Sequence, residues 1–341
     1  MRKPAMLAML ATHEMRWVAA MLVIGAAPLA AQVVPPAAPR PAASPRPPRP
    51  PRPPHVWSSD GDGVARIDTV VAFSPNGQIE LSLVSGRMKL STWNRDQVRV
   101  VATTSGPPSL QFDASSSHVS LEQVRNGYNN ERSNVGSATY DVTVPVGARA
   151  TLSAVSGDID ASGVRGRVEV SNVSGTVNVR DVGSALTVEG VSGDVTISNV
   201  GGEAHVENVS GRVSLTRVAG SASVETVSGG ITLNGVRGDD IHATTVSGDI
   251  DFAGALTGSA RYSFETHSGR TNLRVASNAN GTISVETFNG SVSNDYPGAV
   301  RRRNSDPDDD TSSYSYVIGR GEGRLRVETF SGTVHISQGN P

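Results

Sequence analysis

A nine-residue repeat in the centre of the chain constrains its fold more than any other feature. Valine recurs at ten positions nine residues apart, from Val155 to Val236, and a glycine follows two residues after each valine except at Ser184. Two further apolar positions follow in each unit, as at Val177 and Val179, so the unit is V-x-G-x-φ-x-φ-x-x, where φ is apolar. With the leading valine, each unit has three such positions, and all 27 of them in the nine units of 155–235 are apolar.

The spacing within the unit predicts a short β-strand with one buried face, because alternate residues of a strand point to the same side. The glycine and a final Gly, Asn or Asp allow the chain to turn. Strands of about five residues are too short to be stable alone, but they become stable when they stack at about 4.8 Å. We therefore expect an all-β fold, a single-stranded β-solenoid resembling a β-helix, with all 27 apolar positions pointing inward.

The size of the coil follows from a second signal. Serine precedes the glycine only in alternate units, from Ser156 to Ser228, so one coil contains two nine-residue units, or about 18 residues, with a serine stack along one edge. Towards the C-terminus the glycine spacing widens to 21 residues, and the phrase x-Glu-Thr-x-Ser/Asn-Gly recurs up to Gly332. We expect the solenoid to continue to the end of the chain with coils of about 18–21 residues.

The segments around the repeats have different characters. Residues 64–150 are β-like but irregular and are predicted to form a lead-in and cap for the solenoid repeats of 151–293. Residues 294–317 contain Arg301–Arg303 and Asp308–Asp310 and are predicted to be a charged loop insertion, solvated or used for binding, before a last coil in 318–341.

The N-terminus predicts export. Basic residues precede the 11-residue apolar run of 17–27, which suits a signal peptide of residues 1–31 cleaved before Gln32, with Met1 or Met15 as the start. The alternative is an uncleaved membrane anchor. Residues 32–63 form a Pro/Arg-rich linker, in which residues 35–54 hold 11 of the 20 prolines and favour extended polyproline II. We expect the protein in the periplasm, at the cell surface or outside the cell.

Composition and charge exclude several functions. The chain has no cysteine, which excludes disulfides and thiolate sites. Seven of the 30 Lys and Arg residues precede residue 55, which leaves 23 basic against 31 acidic residues in 55–341. This acidic balance does not suit nucleic-acid binding, which needs a basic footprint.

The motif Val-Ser-Gly-Asp-Ile/Val at 155–159, 191–195 and 246–250, with the lead-in around Val144-Pro145, resembles the bacterial family called "putative adhesin", a β-strand-repeat domain of unknown function. The resemblance covers about residues 66–337. It implies a secreted or cell-envelope β-solenoid, and it supplies no catalytic residues.

Two kinds of chemistry compete with a non-enzymatic role. A calcium-binding β-roll needs an Asp where this repeat has an inward Val or Ile, so calcium is not expected. A polysaccharide-active β-helix enzyme would need clustered carboxylates, for which Asp158/Asp160, Asp239/Asp240 and Asp249/Asp251 are the candidates. Outward positions on a polar sheet offer no burial that would separate their pKa values, and we expect no enzyme and no cofactor.

The outward positions of the repeat are short and polar, and we expect them to form one flat, regularly spaced ribbon that binds envelope glycan or a surface protein. A structural or signalling-accessory envelope domain without a tight ligand is the further alternative. Contact with the membrane is expected only through an uncleaved signal segment. The candidate surface contacts are Asp160, Glu169, Asn178, Thr196, His205, Asp249 and Asp251.

Overall fold

The computed structural model describes residues 58–60, 64–105, 109–124, 136–256, 258–303 and 312–339. In this part of the chain every regular element is a β-strand and none is a helix, as the repeat predicts. No helix there has the length and apolar character needed to cross a membrane. The signal peptide predicted at 1–31 and nearly all of the predicted linker at 32–63 lie outside the described residues.

There are 24 strands in the described residues. In chain order they are β1 (Ser58–Asp60), β2 (Val64–Ala72), β3 (Gln78–Trp93), β4 (Gln97–Thr104), β5 (Ser109–Ala114), β6 (His118–Val124), β7 (Ala138–Pro145), β8 (Arg149–Ser162), β9 (Val168–Ser174), β10 (Val177–Val182), β11 (Leu186–Ser192), β12 (Val195–Val200), β13 (Ala204–Ser210), β14 (Val213–Val218), β15 (Ala222–Ser228), β16 (Ile231–Asn234), β17 (Asp240–Ser247), β18 (Ile250–Gly254), β19 (Arg261–Ala276), β20 (Gly281–Thr287), β21 (Ser291–Asn294), β22 (Val300–Arg303), β23 (Ser312–Ile318) and β24 (Gly323–Gly339).

The central strands stack as a β-solenoid with two strands in each coil. Strands β9, β11, β13, β15 and β17 form a first parallel sheet, and β10, β12, β14, β16 and β18 form a second. The register between successive coils is 18 residues in the regular part, as in Val177 opposite Val195 and Leu186 opposite Ala204. The long strands β8, β19 and β24 bend through both sheets. The predicted fold and coil size are confirmed.

The interior consists of rows of small apolar side chains. Val168, Val170, Val177 and Val179 are at most 2% exposed, and the equivalent residues of the following coils are also buried. The predicted serine stack is present, since Ser174, Ser192 and Ser210 are paired in register at one bend of the coil.

One part of the inward prediction is wrong. Of the leading valines, only alternate ones are buried, namely Val164, Val182, Val200, Val218 and Val236. The others, Val155, Val173, Val191, Val209 and Val227, are 39–53% exposed. Valines at the same position of the nine-residue unit are therefore buried in one unit and exposed in the next.

The two bends of the coil explain this difference. In β9 the alternation places Val168, Val170 and Asn172 inside, so Val173 points outward. At the other bend, Asp181 has a left-handed backbone, with φ of 58°, directly before Val182. This conformation interrupts the strand alternation and turns Val182 inward. Asn199 and Arg217 repeat the left-handed turn in the next two coils.

The N-terminal segment forms the predicted cap. In the first sheet, the first half of β3 lies between β8 and β6, and β5 pairs antiparallel with β6 at the edge. In the second sheet, β7 lies between β3 and β4, and β2 and β1 complete the edge with antiparallel pairings. The antiparallel strands therefore end the parallel stack on this side.

The C-terminal coils are not stacked in chain order. Strand β24 lies between β19 and β20 in the first sheet and between β19 and β21 in the second. The last strand of the chain therefore occupies a rung between strands that precede it in the sequence, an order that the repeat spacing does not predict. The segment predicted as a loop, 294–317, contains β22 and β23, which pair antiparallel with each other, and β23 also pairs with β20. Residues 304–311 of that segment lie outside the described residues.

Candidate interaction surfaces

A row of outward polar side chains follows the middle of the second sheet. Asp160, Asn178 and Thr196 lie in register in successive coils, and the row continues through Ser214 and Thr232 to Asp251. Four of the predicted contact residues, Asp160, Asn178, Thr196 and Asp251, are therefore brought onto one face. Asp251 is engaged within the row, since its Oδ1 accepts a hydrogen bond of 2.9 Å from Asn272 Nδ2.

Two other predicted contacts lie on the first sheet. Glu169 is in register with Thr187, and Thr187 with His205. His205 Nε2 is 2.9 Å from Glu207 Oε1, so the imidazole is held against the sheet. The expectation of a single ribbon is wrong, because consecutive nine-residue units place their outward residues on different sheets.

The aspartates next to the Val-Ser-Gly bend have a structural role. Asp158 Oδ1 accepts hydrogen bonds from Thr176 Oγ1 at 2.6 Å and Thr176 N at 3.0 Å. Asp194 accepts from Arg212 N and Asp249 from Arg270 N, each in the following coil. The Thr176 hydroxyl and backbone bonds, assisted by the charge of Arg87, hold the pKa of Asp158 below its ordinary value. Asp249, a predicted contact residue, is thus occupied in linking two coils.

The carboxylates considered for catalysis are not clustered. Asp160 and Asp251 belong to one row but are separated by five coil steps, which is about 24 Å. Asp239 accepts a hydrogen bond of 3.0 Å from Ser259 Oγ. Within the described residues, no group of three or more His, Asp or Glu side chains could hold a metal ion.

An open groove follows the bend that contains the left-handed residues. It has a volume of about 570 Å³, and Gly183 and Gly201 leave its floor without side chains. Along one side, Asn199 Nδ2 donates to Asp181 Oδ1 and Arg217 Nε donates to Asn199 Oδ1, both at 2.7 Å. These polar groups bind one another from coil to coil, so the groove is a consequence of how the turns are stacked.

A row of glutamates, which the sequence analysis did not identify, follows the first sheet. The register places Glu189, Glu207, Glu225, Thr244, Glu265, Glu328 and Glu286 in successive rungs. We call this set the glutamate row. Like charges opposite one another on a sheet are destabilising, so the stability of the fold does not account for the row.

Arg326 compensates the C-terminal end of the glutamate row. Its guanidinium lies 3.0 Å from Glu286 and also contacts Glu328. Burial and the charges of Glu265 and Glu286 raise the pKa of Glu328, while Arg326 opposes the shift. Within the described residues, Glu189, Glu225 and Glu265 form no salt bridge. Salt bridges of Arg326 are therefore confined to the C-terminal end of the row, at Glu286 and Glu328.

The exposed valines form a continuous apolar row beside the glutamates. Its members are Val155, Val173, Val191, Val209, Val227 and Val246. From Val191 onward each lies two residues after a member of the glutamate row, on the same outward face of its rung. The row continues in His267, Phe330 and Phe288, whose rings stack at 4.8 and 5.0 Å with interplanar angles of 9° and 8°. We call the nine residues the valine ladder.

The sequence contained a signal for both rows. In the phrase Val-Glu-Thr-Val-Ser of 224–228, residues Val224 and Thr226 keep the parity of the buried strand, so Glu225 and Val227 must share the outward face. The alternation of Ser-Gly units with other units marked the same distinction. The position of Glu328 between Glu265 and Glu286 could not be foreseen, because it depends on the insertion of β24.

Comparisons with known proteins identify a family for most of the chain. Residues 67–225 and 218–337 match the model of a family described as Toastrack DUF4097. No curated protein gives a significant match. A solved structure of a "putative adhesin" from Bacteroides fragilis is 14% identical, covers 79% of this chain and 96% of its own, and has a TM-score of 0.37. A "putative cell adhesion protein" from Clostridium sporogenes is 10% identical, covers 80% and 100%, and has a TM-score of 0.23.

Proposed function

Because the chain belongs to the Toastrack DUF4097 family, we propose that it is an exported, non-enzymatic, adhesin-like module of the cell envelope. In this proposal the solenoid presents its outer faces to a repetitive partner. An envelope glycan or a surface protein is the partner that suits such a module.

The observation that carries the proposal is the coil-by-coil repetition of outward polar side chains over a filled interior. Asn178, Thr196 and Ser214 are neighbours one rung apart, while the inward residues beside them, such as Val177 and Val195, are fully packed. Sites that bind small molecules are usually concave and enclosed. A regular, nearly flat row instead supports many weak contacts, which add when the partner repeats.

The N-terminal sequence supports export. Residues 1–31 have the basic start and apolar centre of a signal peptide, and the proline-rich segment that follows provides a spacer. The expected products are a mature N-terminus near Gln32 and protein outside the cytoplasm. Cell fractionation followed by N-terminal sequencing tests this part of the proposal, and a cytoplasmic protein that keeps residues 1–31 would contradict it.

Binding is tested with the full chain on immobilised cell-wall glycan and on extracted envelope proteins. A triple variant of the second-sheet row, Asn178→Ala, Thr196→Ala and Ser214→Ala, should bind at least tenfold more weakly than the parent. The control is a triple variant on the first sheet, Thr187→Ala, Ser223→Ala and Ser263→Ala, which also truncates three small polar residues. Equal binding by the parent and both variants would contradict a role for the polar row.

The enzyme alternative has its own test. We expect incubation of the full chain with envelope polysaccharides to release no oligosaccharides. Polysaccharide turnover that disappears in Asp249→Asn or Asp251→Asn would overturn the non-enzymatic proposal.

A further inference from the structure

We propose that the valine ladder and the glutamate row together bind an extended polypeptide segment that carries arginine side chains on an apolar backbone. This inference goes beyond the proposed function, since it concerns a different surface from the polar row of the second sheet and names a different chemistry. The two surfaces can be tested with separate variants.

The apolar half of the surface is large and regular. From Val155 to Phe288 the valine ladder extends over eight coil steps, about 38 Å, and Val191 and Phe288 are 48% and 44% exposed. Scattered exposed apolar residues are ordinary, but a contiguous exposed apolar strip is typical of an interaction surface. The equivalent valines at the other bend are buried, so the exposure follows from the geometry of this bend and repeats in every coil.

The acidic half defines the charge of the partner. Glu189, Glu225 and Glu265 lack a salt bridge within the described residues, and each lies two residues before a member of the valine ladder. A row of carboxylates repels anionic lipid headgroups and acidic glycans, and it attracts a cationic partner. The pairing of acidic and apolar rows therefore favours a partner that is both basic and apolar.

The spacing of the three glutamates without a salt bridge defines the geometry of the partner. Glu189 and Glu225 are two rungs apart, and so are Glu225 and Glu265, which gives about 9.6 Å between the strands that carry them. In a polyproline II segment, residues three apart lie on the same side at intervals of about 9.3 Å. A segment with arginine at every third residue would therefore place one guanidinium near each of these three glutamates, and its prolines would cover the valine ladder.

The arginine guanidinium suits this surface better than the lysine ammonium. It forms paired hydrogen bonds with a carboxylate and stacks on planar groups. The His267–Phe330–Phe288 stack lies at one end of the valine ladder and offers such planar groups. An arginine-bearing segment would thus find partners along the whole surface.

The probe is a synthetic peptide of five Arg-Pro-Pro repeats with a fluorescent label, and binding is measured by anisotropy. The full chain has its own Pro/Arg-rich segment, which could compete with the probe. Arg40, Arg46, Arg49 and Arg52 are therefore replaced by Gln in the protein used for this assay. We expect saturable binding that weakens at least tenfold between 0.05 and 0.5 M salt, because the contacts are partly ionic. A peptide of five Gln-Pro-Pro repeats should bind at least tenfold more weakly.

Two sets of variants separate the two halves of the surface. The triple variants Glu189→Gln/Glu225→Gln/Glu265→Gln and Val191→Ser/Val209→Ser/Val227→Ser should each reduce peptide binding at least tenfold. The second-sheet variant Asn178→Ala/Thr196→Ala/Ser214→Ala should leave it unchanged. Thermal unfolding of all variants shows whether each remains folded, which their exposed positions lead us to expect.

Several results would overturn the inference. Equal binding of the peptide by the parent and by all three triple variants would show that the peptide does not bind the proposed surface. Stronger binding to vesicles of anionic phospholipid than to the peptide would assign the surface to a membrane. Concentration-dependent dimerisation that is abolished by the valine variant, without peptide binding by the parent, would assign the surface to a second copy of the chain.

Discussion

Gly229 lies against the carbonyl oxygen of Gly211, one coil earlier, so closely that a Cβ atom on Gly229 would be 1.9 Å from that oxygen. The same contact joins Gly211 to Gly193 and Gly193 to Gly175. At these glycine positions the coils approach each other through backbone atoms. The glycine of each Ser-Gly pair is therefore required by the distance between coils as well as by the turn.

We expect Gly229→Ala to destabilise the protein by about 3 kcal/mol or more, because the methyl group would force the two coils apart. Gly230→Ala, the adjacent substitution, is the control. Its Cβ atom would have Asp249 O at 3.6 Å as its nearest neighbour and its φ is not in the left-handed region, so its effect should lie within about 1 kcal/mol. Urea unfolding of both variants measures the difference, and similar losses would contradict the close approach.

The second prediction uses two valines that are equivalent in the nine-residue unit. Val200→Ala should cost about 1–2 kcal/mol, since this side chain is 1% exposed and its loss leaves a cavity. Val191→Ala should change the free energy of unfolding by less than about 0.5 kcal/mol, because Val191 is 48% exposed. Equal costs in chemical denaturation would mean that the two bends do not differ as described.

These valines also show what the sequence could and could not predict. The period of two within each unit was enough to place Val177 and Val179 inside, and the alternation of serine was enough to define a coil of two strands. The valine at the bend could not be placed by period alone, because its direction depends on whether a left-handed residue precedes it, as Asp181 precedes Val182. Among the predicted contacts, Asp160, Asn178, Thr196 and Asp251 share a face because they are an even number of units apart.

The third prediction tests the register within one strand. Val195→Asp should destabilise the protein by about 3 kcal/mol or more, since Val195 is 2% exposed and a carboxylate there would be buried without a partner. Thr196→Asp should have an effect within about 0.5 kcal/mol, because Thr196 is exposed and lies between Asn178 and Ser214. Melting temperatures of the two variants are the measurement, and an equal loss in both would contradict the described strand register.

The fourth prediction concerns the dependence of stability on pH. Hydrogen bonds from the Thr176 hydroxyl and backbone keep the pKa of Asp158 below the ordinary value of 3.8, so the folded state favours the carboxylate more than the unfolded state does. This contribution is complete above about pH 4, and it is lost as the pH falls through the lower folded-state pKa. The difference in melting temperature between the parent and Asp158→Asn should therefore be largest above pH 4 and shrink towards pH 2.5.

A second substitution identifies the cause of that pH dependence. Thr176→Val removes the hydroxyl that donates to Asp158 at 2.6 Å. In this background the effect of Asp158→Asn should depend less on pH. An unchanged pH profile would show that the Thr176 hydroxyl does not hold the carboxylate in its charged form.

The last prediction follows from the position of β24. This strand pairs with β19 along 15 residues, from Arg261 opposite Arg324 to Ala276 opposite Gly339, and on its other side with β20 and β21. Val327, Val334 and Ile336 are fully buried, so the strand contributes to the core as well as to the hydrogen-bonded ladders. Although it comes last in the sequence, its amides should exchange with solvent as slowly as those of the central coils.

Removal of residues 320–341 should leave β19 and β20 without a shared neighbour, expose two strand edges and lower the melting temperature strongly. Deletion of the short edge strand β1, residues 58–60, should by contrast have a small effect. Hydrogen exchange followed by mass spectrometry decides the matter, since rapid exchange throughout 323–339 would contradict the insertion of β24 between the other two strands.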